Sequence, residues 1–82
     1  SSISELSPLL KIFPNPTARY IELTGMDLTD VPYRIYDGVG KLVLIGRCVQ
    51  NSVDVSKLAA GNFTLLVEQD GKYFSAPFIV IR

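Results

Sequence analysis

Apolar and polar residues alternate at a period of two along most of the chain, the spacing of half-buried β-strands rather than of helices. The clearest run is residues 62–69, where Phe63, Leu65 and Val67 alternate with Thr64, Leu66 and Glu68. Residues 19–23 place Ile21 and Leu23 on one face and Tyr20 and Glu22 on the other, and residues 33–37 bring Tyr33 and Ile35 together. Residues 9–13, 40–48, 52–55 and 72–81 complete seven predicted strands, with Val43 and Ile45 expected to point inward from the fourth. No stretch carries the 3.6-residue period of a helix. A one-turn helical passage is expected only between Leu58 and Gly61.

The punctuation between the strands is that of hairpins. Asp70-Gly71 joins the last two strands, and both residue types tolerate the positive φ of a type I′ turn. Asp37-Gly38-Val39-Gly40 makes a longer connection of the same kind, and Gly61 lets the chain turn back into the sixth strand. Near the start, Pro14 and Pro16 bracket Asn15; each proline fixes φ and removes a donor, so the first strand must end in a rigid corner. Pro77 has no N–H for a ladder, which puts the seventh strand at an edge or a bulge. Seven short strands in one small chain predict an all-β fold, a seven-stranded antiparallel β-sandwich of immunoglobulin-like type.

Composition narrows the function classes. The 82 residues are enough for one small domain, with 48% hydrophobic and 20% charged residues. Residues 9–82 are read as that domain, and the polar residues 1–8 as the end of a linker from an upstream cargo domain. The first residue is serine, which fits the end of a longer polypeptide. Eight basic and eight acidic residues balance to zero, so no nucleic-acid footprint is expected. The longest apolar runs are about four or five residues, against roughly 20 for a membrane-spanning helix. Nor is a signal peptide visible.

Chemistry is sparse. There is no histidine, so Ser-His and Cys-His pairs and imidazole metal ligands are excluded. Asp27, Asp30, Asp37, Asp54 and Asp70 are scattered among turns, where their propensity explains them singly. The single cysteine, Cys48, reads as a small buried apolar residue rather than a reactive thiol. Neither catalysis nor a cofactor is expected.

Four blocks in order carry a resemblance. They are Phe13-Pro14-Asn15-Pro16-Thr17; Tyr36-Asp37-Gly38-Val39-Gly40-Lys41-Leu42-Val43; Val53-Asp54-Val55-Ser56-Lys57-Leu58-Ala59-Ala60-Gly61-Asn62-Phe63; and a Gly71-Lys72 hairpin leading to Phe78-Ile79. Together, over residues 10–82, they resemble the type A C-terminal sorting domain of the Bacteroidetes type IX (Por) secretion system. The family often has Pro-Ser where this chain has Ala59-Ala60, Tyr where it has Phe63, and several terminal lysines where it has only Arg82.

The resemblance implies a non-catalytic signal domain. It would direct an attached cargo across the outer membrane by way of the type IX translocon, through the periplasm to the cell surface. A sortase-like peptidase would then usually remove it, with anchoring of the cargo. It implies fold-shaping roles for Pro14, Asn15, Pro16, Tyr36, Asp37, Gly40, Asp54, Leu58 and Gly61, and makes Lys72, Phe78, Ile79, Val80, Ile81 and Arg82 candidates for translocon recognition. A terminal strand of residues 72–82 captured by a partner's sheet edge is the expected mode. The alternative is an adhesion or carbohydrate-binding module displaying Tyr20, Tyr36 and Tyr73 as an aromatic patch.

Overall fold

The alternation in residues 62–69 becomes one of the two inner strands of the larger of two sheets. The computed structural model describes residues 10–25 and 27–82, so the proposed linker of residues 1–8 lies outside the described residues. The strands are β1 (Lys11–Phe13), β2 (Tyr20–Thr24), β3 (Pro32–Asp37), β4 (Leu42–Arg47), β5 (Ser52–Asp54), β6 (Gly61–Gln69) and β7 (Lys72–Val80). β1-β2-β5 form a three-stranded sheet and β4-β3-β6-β7 a four-stranded one, with every strand pair antiparallel. Stacked face to face, they make the seven-stranded immunoglobulin-like sandwich that the pattern predicts.

The core fills the space between the sheets from the alternating positions. Ile21, Leu23 and Val53 come from the small sheet; Ile35, Leu65, Val67, Phe78 and Val80 come from the large one. Asp70 and Gly71 have φ of 56° and 76°, as the type I′ hairpin requires. A second turn of this geometry has no glycine: Gln50 and Asn51 have φ of 52° and 63°. Val49 and Ser52 exchange 3.0 Å hydrogen bonds across it. The passage before Gly61 holds one Leu58 N–H to Val55 C=O bond of 3.0 Å, a turn rather than the expected helical passage.

The fourth strand departs from the alternation. Ile35 pairs with Leu44, but the next pair is Tyr36 with Leu42, so Val43 is an extra residue on β4. Such a bulge reverses the in/out sequence across it. Val43 and Leu44 therefore both pack partly against the core, and Ile45, expected inside, is 63% exposed opposite Arg34. Gly46 marks a close approach further along. A Cβ there would lie 2.8 Å from the Tyr33 hydroxyl oxygen, so only glycine leaves room for that ring.

Cys48 lies just past β4 and is buried as expected. Burial pushes its thiol up to about 11, leaving almost no thiolate at neutral pH. A thiol-exchange reagent at pH 8 is expected to find no reactive group in the native chain and one equivalent after denaturation. Rapid modification of the native protein would contradict this burial.

Candidate functional site

The four sequence blocks, far apart in the chain, meet at one end of the sandwich in all but the Gly71-Lys72 hairpin of the fourth. Antiparallel pairing places Val80 at the end of β7 beside Gly61 at the start of β6, and Asp37 at the end of β3 beside Phe63. The strand ends and turns that carry the blocks thus crowd together, opposite the Asp70-Gly71 hairpin.

The Pro-Asn-Pro corner lies along the outer edge of β7. Asn15 Oδ1 accepts the Ile79 N–H at 3.0 Å, and Asn15 Nδ2 reaches the Pro77 C=O at 3.5 Å. The Thr17 N–H then donates to the Ile79 C=O, and the Ile81 N–H to the Thr17 C=O, both at 2.8 Å. Since these groups of Ile79 point away from β6, alternation turns those of Tyr73, Ser75 and Pro77 the same way. Pro77 therefore sits where a missing N–H removes no ladder bond. The corner covers the edge from residue 77 onward and leaves the outward groups of Tyr73 and Ser75 without a partner among the described residues. Thr17, read in the sequence only as the end of the corner, is 2% exposed and donates its hydroxyl to the Tyr20 C=O at 2.6 Å. Both X–Pro bonds of the corner are cis.

Asp37 builds the next element. Its Oδ1 accepts the N–H groups of Val39 at 3.0 Å and Lys41 at 2.9 Å, satisfying amides that the turn would otherwise leave to water. Gly40 completes that turn at φ 89°, a conformation that strains any residue with a Cβ. Asp54 does the same for the loop after β5, its Oδ1 accepting the Ser56 N–H at 2.8 Å. Hydrogen bonds from the Ser56 side chain and amide hold the Asp54 carboxyl below the usual carboxylate range. Leu58 inserts into the core and anchors this loop from beneath.

Between the Asp37 turn and the loop runs an open groove of about 550 Å³, lined by Gly38, Val39, Val43, Lys57, Ala60 and Asn62 among others. A neighbouring groove of about 320 Å³ runs from Asn15 past Asn62 to Ile79. Pro14, Asn15, Pro16, Tyr36, Asp37, Gly40, Asp54, Leu58 and Gly61 all belong to this end or its immediate supports. Of the recognition candidates, Phe78 and Val80 are buried, whereas Ile79, Ile81 and Arg82 reach the surface. Lys72 pairs with Gln69 at the opposite end of β7 and is not brought to this site. Tyr20 lies on the small sheet, while Tyr36 and Tyr73 sit on the large one opposite Thr64 and Glu68 respectively, so the three rings form no single patch.

Asn51 is the structural residue that the sequence reading did not single out. Its Oδ1 accepts the Leu28 N–H and its Nδ2 donates to the Leu23 C=O, each at 2.8 Å, pinning the β2–β3 connection. The available sequence signal was an Asn between two strands, a residue that tolerates positive φ. Among the described residues no group of three His, Cys, Asp or Glu side chains is placed to hold a metal ion, and no helix is long and apolar enough to cross a membrane.

Comparison with known proteins gives two findings. A family model described as the secretion system C-terminal sorting domain matches residues 11–81. The fold is similar to part of PorZ, described as an essential bacterial surface component of the type IX secretion system of Porphyromonas gingivalis. The TM-score is 0.67 at 21% identity, over 89% of this chain and 11% of that one. No curated protein sequence matches the chain.

Proposed function

The chain belongs to the secretion system C-terminal sorting domain family, and from that premise we propose that its motif-bearing end is the surface that hands an attached cargo to the outer-membrane type IX translocon. As a member of that family it is a sorting signal for type IX secretion, belonging to a protein that passes the outer membrane, and secretion machinery is the kind of partner it meets. The finer steps belong to the proposal: passage through the periplasm, delivery to the cell surface, and removal by a sortase-like peptidase near the linker of residues 1–8. The domain acts in them as an address and not as a catalyst.

One observation carries this reading: three separated sequence blocks and the Phe78-Ile79 part of the fourth build one continuous end of the fold, whose surface is two adjoining grooves. Hydrogen-bonded turns at Asp37 and Asp54 hold that surface in shape, so a partner binds it without a large ordering cost. The resemblance to PorZ, itself a surface component of such a system, fits the same machinery. The mode differs from simple capture of the last strand, since Asn15 and Thr17 already occupy the outer edge of β7 from Pro77 onward. What is offered outward is the folded end, including Ile79 and Ile81.

A reporter fused ahead of the domain, expressed in a bacterium with a type IX system, tests this. Val39→Asp combined with Asn62→Arg alters the groove without touching the core. Export is expected to fall about tenfold, the equivalent of ~1.4 kcal/mol at the interface, with the melting temperature unchanged. A matched charge change at Tyr73, on the hairpin side, is expected to leave export intact. Full export by the double variant would sink the assignment of this end.

A further inference from the structure

Arg82 follows β7 and folds back across the motif-bearing end, where its guanidinium meets only backbone carbonyls. Nε donates to the Leu58 C=O at 3.0 Å, and Nη1 donates to the Ala18 C=O. Nη2 is shared among the carbonyls of Leu58 at 2.5 Å, Val55 at 3.1 Å and Ser56 at 3.0 Å. No carboxylate lies within ion-pair distance of it among the described residues, where the one salt bridge is Arg47–Asp30. Four neutral acceptors from two separate segments therefore surround one planar cation.

The carbonyls are aimed by contacts that do not involve Arg82. The Val55 N–H donates to the Arg19 C=O at 2.8 Å, joining the two segments. The Leu58 N–H to Val55 C=O bond and the Asp54 cap on Ser56 shape the loop between them. Such a cage is preorganised, and its acceptors are spread to match a flat fork of N–H donors. An ammonium, a compact charge with three donors, cannot span them.

We propose that the carbonyls of Ala18, Val55, Ser56 and Leu58 form a guanidinium-binding site of this fold, filled in cis by Arg82 and open to a free guanidinium ion when that side chain is removed. The site ties the end of β7 to the corner and to the loop after β5, closing the motif-bearing end. It is independent of the sorting assignment, because its test is a binding and stability measurement on the 82-residue chain alone.

The measurement compares the chain with its Arg82→Ala and Arg82→Lys variants by thermal unfolding, then titrates Arg82→Ala with methylguanidinium and with methylammonium at equal ionic strength. Both variants are expected to melt about 5–10 °C lower than the parent chain. Methylguanidinium is expected to restore at least half of that loss saturably in the millimolar range, methylammonium none of it, and neither ion to raise the melting point of the parent chain. A Lys variant as stable as the parent, or equal action of the two ions, overturns the proposal. Should Arg82→Ala fail to fold, exchange of the arginine Nε protons in the unmodified chain decides. Arg82 is expected to exchange at least about tenfold more slowly than Arg19 and Arg34, and equal rates refute the cage.

Discussion

Phe78→Ala is expected to lower the unfolding free energy by about 3–5 kcal/mol, the largest single-residue effect in the chain. Phe78 is 1% exposed, pairs across the strands with Phe63, and stacks on that ring at a centroid distance of 5.7 Å and an interplanar angle of 26°. Truncation would leave a cavity beneath the strand that the Pro-Asn-Pro corner grips. At about 0.05–0.15 kcal/mol per residue, a domain of this size holds only ~4–12 kcal/mol in total. The variant therefore loses about a quarter or more of its stability. Urea unfolding checks this: the midpoint should fall sharply with the slope unchanged. Ile79→Ala, on the outer face one residue along, is expected to change stability by less than about 1 kcal/mol. A Phe78→Ala loss as small as that of Ile79→Ala would refute the packing argument.

This difference decides how truncation of the domain must be read. Removing residues 78–82 deletes two buried side chains, the edge bonds to Asn15 and Thr17, and every hydrogen bond of Arg82. Loss of export after that truncation would report loss of the fold. Only substitutions that leave the core intact, such as those in the grooves, separate recognition from stability.

The second large effect is expected at Asn51→Ala, with a loss of about 2–4 kcal/mol. The substitution strands the part-buried Leu28 N–H and Leu23 C=O that the side chain serves, at about 1–3 kcal/mol for each group left unpaired. It also forces an alanine to hold φ 63°, where its Cβ crowds the carbonyl. Asn51→Gly separates the two causes, because glycine relieves the backbone but restores neither bond. Its stability should fall between those of the parent chain and Asn51→Ala. Amide exchange at Leu28 should accelerate in both variants. An unchanged Leu28 amide in Asn51→Ala would show that the clip does not hold the β2–β3 connection.

Much of this protein was legible along the chain because its signals are local. Alternation at Phe63, Leu65 and Val67 marks an inward face wherever the strand lies in the sheet, since successive side chains on a strand point to opposite faces. Asp70-Gly71 marks a hairpin because the turn's φ values select those residues directly. The order and spacing of the four blocks pointed to the family for the same reason. By itself, the sequence determined the fold class, the seven strands and the family resemblance.

The tertiary structure decided what depends on contacts between distant segments. Ile45 faces solvent because Val43 is an extra residue against β3, a register choice that the sequence of β4 does not announce. Asn15 caps Pro77 and Ile79 across more than sixty residues, and Arg82 crosses a similar span to reach Ala18. An isolated segment cannot reveal such partners, because a side chain's bonds depend on which backbone groups the assembled sheets leave unpaired. That accounting also turned three linear blocks and the Phe78-Ile79 part of a fourth into one surface. Their residues meet only because antiparallel pairing brings the end of β7 and the end of β3 to the start of β6, one on each side of it.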